Sequence, residues 1–239
     1  YQAVVMGHQG ANFSAGANLN LFLELSQNNQ WDTLDFAVKT FQNTTQRIRF
    51  SKGPVVAAPF QLTLGGGTEI IQPAAHRVAS AETYMGFVEM GVGLIPGGGG
   101  NLRMILNAID ENKGAMGAFQ KIQKAFETIG FAKVATGAYE AKDLGLLKQD
   151  DTIIMNRDYL IQAAKDKALE LVNGYSPPKY NDSLKLPGAG GRTAMAMALK
   201  SFKLQGKISD HDVKLGEKLA YVLTGGDQAG LTKKVDEQY

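Results

Sequence analysis

The fold of this chain is indicated by residues 55–80, which read VVAAPFQLTLGGGTEIIQPAAHRVAS. The apolar segment Val55–Ala58 is typical of a buried strand, and His76–Ser80 has the length and composition of another. Between them, three consecutive glycines, Gly65–Gly67, precede a helical pattern from Thr68 to Ala75. Strands and helices that alternate at this spacing predict an α/β fold with parallel strands.

The rest of the chain extends this pattern and then becomes helical. Ala3–Met6 predicts a buried strand, and apolar residues at spacings of three and four from Leu34 to Ile48 predict a long amphipathic helix. After Ala108, helix-forming residues dominate, whereas residues 173–191 are rich in Pro, Gly and Ser, as in a linker or an extended segment. The helices predicted here are Ala115–Ile129, Ala138–Leu144, Arg157–Val172, Arg192–Leu204 and Ser209–Leu223.

Composition excludes several classes of protein. The 239 residues include 25 Lys and Arg against 23 Asp and Glu, a formal net charge of +2, and 44% are hydrophobic. This balance is typical of a folded protein, and no run of basic residues predicts a nucleic-acid partner. The absence of cysteine excludes disulfides and thiol nucleophiles, and His8, His76 and His211 lack metal-ligand spacing. No segment resembles a membrane span or a signal peptide, so we expect a cytoplasmic location.

Two glutamates stand in unusual surroundings. Glu69 follows Gly65–Gly67 in the first turn of the predicted helix, where unpaired backbone N–H groups can hold a carboxylate, a phosphate or a developing oxyanion. Glu89 lies in the otherwise apolar stretch Met85–Gly97, where burial would raise the pKa of its carboxyl group toward the range used in acid–base catalysis. Two such acids near an oxyanion site suit proton transfer next to a carbonyl group.

Taken singly, each of these features also has a structural explanation. Gly65–Gly67 suits a tight strand-to-helix turn, Glu69 can stabilise a helix N-terminus, and Glu89 can pair with an arginine or a backbone amide. Nucleotide binding is excluded more firmly. The glycine-rich stretches lack the Gly-Lys-Ser/Thr ending of a P-loop and miss the spacing of a dinucleotide-binding fingerprint.

Three motifs in order are more specific than any one of them. Residues 12–18 read NFSAGAN, residues 64–69 read LGGGTE, and Glu89 is followed by GLIPGGGG at residues 93–100. At these separations the motifs closely resemble those of the crotonase (enoyl-CoA hydratase/isomerase) superfamily, over about Tyr1 to Leu147. One departure is Asn18, which stands where the family usually has aspartate.

The resemblance implies a crotonase-like ββα spiral core with a helical C-terminal region. Residues 1–124 would form the core, with the first strands of the family missing before Tyr1. Residues 125–172 would be a helical segment that completes the crotonase fold. Residues 173–239 would be a linker and a C-terminal helical extension.

The resemblance also implies a binding site for a coenzyme A thioester. The backbone N–H groups of Ala17 and Gly66 would form an oxyanion hole for the thioester carbonyl. The carbonyl group of Ala15 would lie near the adenine of coenzyme A.

The two glutamates then match the acids of the hydratases in this superfamily. Glu69 and Glu89 would carry the acid–base chemistry, and the backbone of Gly97 would help to hold the reacting water. Because both acids are present, the resemblance favours hydration of trans-2-enoyl-CoA to 3-hydroxyacyl-CoA in fatty-acid β-oxidation. The alternatives are a Δ3-Δ2 enoyl-CoA isomerase, for which Glu89 alone could suffice, and a non-catalytic module that binds acyl-CoA.

The residues beyond the core most resemble the crotonase module of fused 3-hydroxyacyl-CoA dehydrogenases in which the NAD-binding domains come first. This implies no cofactor in this chain, since coenzyme A is part of the substrate, and NAD only for a dehydrogenase domain outside it. The partners implied are an acyl-CoA thioester and either dehydrogenase domains of the same polypeptide or further copies of this chain. No metal and no nucleic acid are expected.

Overall fold

The computed structural model describes residues 1–110, 118–230 and 233–237, and its residues form two compact units. The first unit comprises Tyr1–Gly86, Pro96–Gly100 and Val134–Pro178. The second comprises Phe87–Ile95 and the described residues of Asn101–Lys133 and from Lys179 onward.

The strands are all short and the helices are more varied in length. The strands are β1 (Val4–Met6), β2 (Val55–Ala57), β3 (Gln61–Leu64), β4 (His76–Ser80), β5 (Thr83–Gly86) and β6 (Thr152–Ile154). The α-helices are α1 (Leu19–Gln27), α2 (Trp31–Arg49), α3 (Gly66–Ile71), α4 (Gly100–Asp110), α5 (Ala118–Gly130), α6 (Ala138–Asp143), α7 (Leu160–Val172), α8 (Gly188–Leu204) and α9 (Asp210–Leu223). Glu89–Val92 and Arg157–Tyr159 form 3₁₀ helices. No helix in the described part of the chain is long and apolar enough to cross a membrane.

The first unit is built on a parallel sheet with the strand order β1-β2-β4-β6. Val5 pairs with Val56, Val56 in turn pairs with His76, and Val78 pairs with Thr152. This parallel arrangement, with helices between the strands, confirms the α/β fold predicted from residues 55–80.

Helix α7 packs against β1, β2 and β4 and closes the core of the first unit. Its residues Leu160, Ala164 and Ala168 recur every four positions, so they share one face of the helix, and all three are buried. The two alanines allow the helix to lie close to the sheet. Burial of each large apolar side chain in this core contributes roughly 1.5–3 kcal/mol to folding. The sheet side of the core consists of Val56, Ala58, Phe60 and Val78.

Strands β3 and β5 form a second, two-stranded parallel sheet that leads into the glycine-rich turn. Gln61 pairs with Thr83, and Leu64 pairs with Gly86 at the far end. The Gly65 N–H group then donates to the Gly86 carbonyl over 2.9 Å. The end of β3, and hence the start of α3, is therefore fixed by the end of β5.

The second unit is helical, with α9 packed against both α5 and α8. The helices α8 and α9 approach closely at Gly216, where a Cβ atom would lie 2.6 Å from Leu199 Cδ2. Any side chain at residue 216 would therefore displace the Leu199 side chain from its present position. The rings of Phe131 and Phe202 pack edge to face, with their centroids 5.6 Å apart.

Sequence patterns identified β1, β2 and β4 but missed the other strands. Strand β3 begins at Gln61, whose φ is +48°, and β5 ends at a glycine. Strand β6 has three residues, Thr152–Ile154, within a region that composition assigned to helices. Strands this short contain too few residues to display a period of two.

The prediction that residues 173–191 form one irregular segment was wrong at its C-terminal end, because α8 begins at Gly188. Packing overrides the low helix propensity of glycine here. A Cβ atom at Gly188 would lie 3.0 Å from the Ala229 carbonyl oxygen, and one at Gly191 would lie 3.3 Å from the Phe119 ring. Helices α6, α7 and α9 lie where they were predicted; residues 115–117 of the helix predicted at 115–129 lie outside the described residues.

A buried ion pair joins β4 to the start of β6. Asp151 accepts hydrogen bonds from the backbone N–H of Arg77 at 3.0 Å and from its Nε at 2.8 Å, and its Oδ2 lies 2.7 Å from Arg77 Nη2. Arg77 Nη1 donates to the carbonyl groups of Gln72 and Ala74. Both charged side chains are almost fully buried, so each depends on the other to offset its lost hydration.

We expect Asp151→Asn to destabilise the protein by about 3–5 kcal/mol, because it leaves a buried guanidinium group without its counter-charge. Chemical denaturation of the wild type and the variant measures this difference. The neighbouring Asp150→Asn is the matched control, since Asp150 is exposed. Equal effects of the two substitutions would contradict the importance of this ion pair.

Candidate active site

The segment that contains Ala17 lies along the end of β3. Ser14 donates its N–H to the Leu62 carbonyl, and its own carbonyl accepts from the N–H of Leu64, both over 2.9 Å. Ser14 also forms a parallel bridge with Thr63. The sequence motif at residues 12–18 is thereby aligned with the glycine-rich turn that follows β3.

Two glycines allow this close approach. Gly65 adopts a φ of +52°, which suits glycine, and turns the chain directly from β3 into α3. A Cβ atom at Gly67 would lie 2.5 Å from Ser14 Cβ, so a larger residue would push the two segments apart. The interpretation of Gly65–Gly67 as a tight strand-to-helix turn is confirmed, and the same turn brings backbone N–H groups to the segment of residues 14–17.

The N–H groups of Ala17 and Gly66 have no hydrogen-bond acceptor among the residues that the structure describes. Gly66 is the first residue of α3, where a backbone N–H has no partner within the helix. Asn18, directly after Ala17, caps α1 by accepting from the N–H groups of Asn20 and Leu21. An amide oxygen caps a helix as well as a carboxylate does, so Asn18 in place of aspartate keeps the local structure.

Glu69 is buried and its carboxylate holds the glycine-rich loop at residues 97–100. Glu69 Oε1 accepts the N–H groups of Gly98 and Gly100, each over 2.8 Å. Gly100 is the first residue of α4, so the carboxylate caps the N-terminus of that helix from outside. These two hydrogen bonds to Oε1 fix the carboxylate of Glu69 against the loop.

Helix α2 supports the same loop from another side. Gln42 Nε2 donates to the Gly97 carbonyl and Thr45 Oγ1 donates to the Gly98 carbonyl, both over 2.7 Å. A Cβ atom at Gly98 would overlap the Phe41 ring and lie 2.8 Å from Glu69 Oε2. The loop is therefore held by both its N–H and its carbonyl groups.

Burial raises the pKa of Glu69 above its ordinary value of 4.5, and the N–H groups of Gly100, Gly98 and Gly99 act in the opposite direction. Desolvation is the larger effect, because Glu69 is 3% exposed. A carboxyl group with a raised pKa holds its proton more readily than an ordinary one, which favours a role in acid–base chemistry.

Glu89 lies in the second unit and is the first residue of the 3₁₀ helix Glu89–Val92. Its carbonyl accepts the N–H of Leu94 over 3.0 Å, which closes the turn back onto Glu89. Met90, the next residue, lines an apolar cavity of about 480 Å³ within the second unit. Phe119, Phe126 and Phe202 contribute to the same cavity.

Sequence reasoning missed the partners of the glycine-rich loop and one histidine contact. Thr45 lies within the amphipathic pattern from Leu34 to Ile48, and that pattern gave no sign that its hydroxyl group donates to the Gly98 carbonyl. His211 looked like an ordinary surface or core position, yet its Nε2 lies 3.0 Å from the Gly93 carbonyl oxygen. The glycine run at 97–100 ahead of a helix was the available signal that a capping group was needed. The acid–base role predicted for Glu69 and the roles predicted for Ala15, Ala17, Gly66, Glu89 and Gly97 remain predictions.

Histidine and acidic side chains do not assemble into a metal site anywhere in residues 1–110, 118–230 and 233–237. His76 is buried and binds Thr152 Oγ1 over 2.9 Å, and burial lowers its pKa. His8 lies at the surface and contacts the Asn12 carbonyl.

Comparison with known proteins defines the family. A family model described as Enoyl-CoA hydratase/isomerase matches residues 1–181. The chain belongs to the enoyl-CoA hydratase/isomerase family. The crystal structure of an enoyl-CoA hydratase from Bacillus anthracis aligns with a TM-score of 0.56 at 24% identity, over 93% of this chain and 72% of that one. This likeness confirms the crotonase fold.

The similar curated proteins include much longer polypeptides. The "Probable 3-hydroxyacyl-CoA dehydrogenase" of Bacillus subtilis (strain 168) is 45% identical over 240 residues, which cover 100% of this chain and 30% of that protein. The peroxisomal fatty acid beta-oxidation multifunctional protein of Oryza sativa subsp. japonica is 28% identical over 98% of this chain and 30% of its own length. This chain therefore spans 30% of the length of each of these two relatives.

We expect Glu69→Ala to speed amide hydrogen exchange at Gly98 and Gly100 by roughly 10- to 100-fold, since each loses a hydrogen bond to a charged group. Glu69→Gln retains an acceptor oxygen and should keep most of the protection. Exchange measured by mass spectrometry on peptides that contain residues 97–101 tests this. Equal exchange in the alanine and glutamine variants would contradict the role of the carboxylate in holding the loop.

The raised pKa of Glu69 also predicts a pH dependence of stability. The native state binds this proton more tightly than the unfolded state, so the contribution is complete below pH 4.5 and is lost as the pH rises through the raised pKa. The unfolding free energy of the wild type minus that of Glu69→Gln should therefore fall from acidic to neutral pH. Denaturant titrations of both proteins across this range measure the difference, and a difference that rises with pH would contradict the prediction.

Proposed function

We propose that this chain hydrates trans-2-enoyl-CoA thioesters to 3-hydroxyacyl-CoA. The observation that carries the proposal is a buried carboxyl group of raised pKa, Glu69, in the unit that also presents the N–H groups of Ala17 and Gly66 without acceptors. An acid–base group and free backbone donors are the requirements for proton transfer next to a thioester carbonyl.

The proposed reaction adds the elements of water across the double bond. The water oxygen bonds to the β-carbon and gives up one proton to a carboxylate, while the α-carbon receives one proton. Between these steps, negative charge develops on the thioester oxygen, where the N–H groups of Ala17 and Gly66 would stabilise it. Loss of one such donor typically costs about 10²–10³ in rate. The reaction needs no oxidant or reductant, and water is its only co-substrate.

Glu69 and Glu89 are the proposed acid–base pair. Glu69 Oε1 accepts hydrogen bonds from two N–H groups, and these bonds fix the orientation of the carboxylate. A positioned acid–base group contributes roughly 10²–10⁴ in rate, so each glutamate should be needed for most of the activity. Gly97 is the proposed water-positioning residue, and the carbonyl of Ala15 the proposed contact for the adenine of coenzyme A.

We also propose that the chain works within a longer polypeptide that carries an NAD-dependent 3-hydroxyacyl-CoA dehydrogenase. The support is that the relatives named above are much longer, and one is named a 3-hydroxyacyl-CoA dehydrogenase. The product of the hydration is the substrate class of such a dehydrogenase, so the two reactions would follow one another.

Isomerisation of a 3-enoyl-CoA to a 2-enoyl-CoA is the second candidate. One observation favours it: the carboxylate of Glu69 already has a structural task, because it caps α4 and holds residues 97–100. If that task were its whole purpose, Glu89 alone would transfer the proton between carbon atoms of the substrate.

The experiment measures turnover of trans-2-enoyl-CoA by the full-length protein in the presence of NAD, followed as NADH. We expect Glu69→Gln and Glu89→Gln each to lower this rate by roughly 10²–10⁴. Both variants should produce NADH from 3-hydroxyacyl-CoA at the wild-type rate. This second substrate is the internal control, because it bypasses hydration.

The remaining outcomes separate the alternatives. A wild type that forms NADH from 3-hydroxyacyl-CoA but not from trans-2-enoyl-CoA, and that converts a 3-enoyl-CoA to a 2-enoyl-CoA, would replace the hydratase by the isomerase. Binding of the thioester with neither reaction would leave a non-catalytic module. NADH formation from neither substrate would contradict the proposed dehydrogenase.

A further inference from the structure

The turn that begins at Glu89 is closed within itself. Gly91 donates its N–H to the Val88 carbonyl over 3.0 Å, and Leu94 donates to the Glu89 carbonyl over 3.0 Å. Gly93 ends the 3₁₀ helix with a φ of +81°, a left-handed conformation that favours glycine. The backbone of Glu89 is thus connected to Gly93 through a single small ring of hydrogen bonds.

His211 attaches this turn to helix α9, within the same unit. His211 Nε2 lies 3.0 Å from the Gly93 carbonyl oxygen. A carbonyl oxygen can only accept, so Nε2 must carry the hydrogen atom. A Cβ atom at Gly93 would lie 3.3 Å from His211 Nε2, so the imidazole ring packs directly against the end of the turn.

The first turn of α9 fixes His211 in place. Ser209 caps the helix by accepting the N–H of Asp212, and the Asp212 carboxylate accepts the N–H of Ser209 in return. Hydrogen bonds from the backbone and the side chain of Ser209 lower the pKa of Asp212, which keeps this carboxylate ionised. An ion pair between Lys203 and Asp210 joins the same turn to the end of α8.

We propose that His211 is a positioning residue for Glu89: it holds the turn that carries this acid through one hydrogen bond to Gly93. The inference rests on the proposed function of Glu89 and extends it to the C-terminal helices. His211, in the C-terminal helix α9, thereby takes part in placing Glu89. No part of α9 was expected to contribute to the reaction.

Catalysis is sensitive to such placement because proton transfer requires hydrogen-bond distance to the reacting atoms. Without the imidazole, the closed turn from Glu89 to Leu94 would keep its internal bonds but lose its attachment to α9. Glu89 would then sample more orientations, and the fraction of time in the productive one would fall. Substrate binding would not change, since His211 makes no contact with the substrate in this proposal.

The experiment compares His211→Ala, His211→Gln and the exposed Lys214→Ala in the full-length protein. We expect His211→Ala to lower kcat for hydration roughly three- to tenfold with KM unchanged, the size of one net hydrogen bond. Glutamine places an amide N–H where Nε2 stood and should restore most of kcat. Lys214→Ala, one turn further along α9, should match the wild type.

A double-mutant cycle with Glu89→Gln shows whether His211 acts through Glu89. In the Glu89→Gln background, His211→Ala should cause no further loss of kcat. An equal further loss there, or a rise in KM, would overturn the proposal in favour of general destabilisation. Failure of glutamine to restore activity would also overturn it.

Hydrogen exchange separates this inference from the proposed function. His211→Ala should speed exchange at the amides of Gly91, Gly93 and Leu94, whether or not the protein hydrates enoyl-CoA. Unchanged exchange would overturn the attachment itself. Faster exchange combined with full activity of Glu89→Gln would instead show that the attachment exists while Glu89 is not the acid, which overturns the positioning role and the proposed function together.

Discussion

The candidate active site depends on one interaction, in which a single carboxylate oxygen of Glu69 accepts hydrogen bonds from two glycine N–H groups. Glu69 belongs to α3, and the groups that it binds belong to the glycine-rich loop and to the first residue of α4. Helix α2 completes the arrangement by binding the carbonyl groups of Gly97 and Gly98. Helices α2 and α3 thereby hold a loop that has almost no side chains of its own.

The same interaction places Glu69 under two opposing influences. Burial disfavours the charged carboxylate, whereas the N–H groups favour it, and burial prevails. Elsewhere in this unit, Asp151 has the full positive charge of Arg77 beside it. Glycine amides are weaker partners, so they fix the orientation of Glu69 while leaving its proton exchangeable. A structural task and a chemical one are therefore compatible in this residue.

The sequence predicted the fold class and the candidate acids because both leave local patterns. The apolar strands at Ala3–Met6 and Val55–Ala58 and the glycines ahead of Glu69 are each recognisable from only a few consecutive residues. The contacts that were missed join distant parts of the chain: Thr45 with Gly98, and His211 with Gly93. A polar residue on an apolar helix face shows only that it needs a partner, and the partner is identified by the tertiary fold.

Helix α8 illustrates the reverse case, in which a local pattern was misleading. Its first turn contains Gly188, Gly190 and Gly191, which composition assigned to a linker. Two of these glycines are required by close neighbours, the backbone at Ala229 and the ring of Phe119. Glycine thus marks close packing here, whereas at Gly65 it marks a turn, and composition alone does not distinguish the two.

The contact between His211 and Gly93 spans 118 residues, and this has a consequence for the order of events during protein synthesis. The turn at Glu89 leaves the ribosome long before α9 exists. At ordinary rates of translation, the delay is roughly 6–24 s, from about 5–20 residues per second. The last residues of the first unit, up to Pro178, are made before α9, whereas the contact between Gly93 and His211 must wait for α9. The proposed anchor for this acid is therefore made only after the first unit is complete.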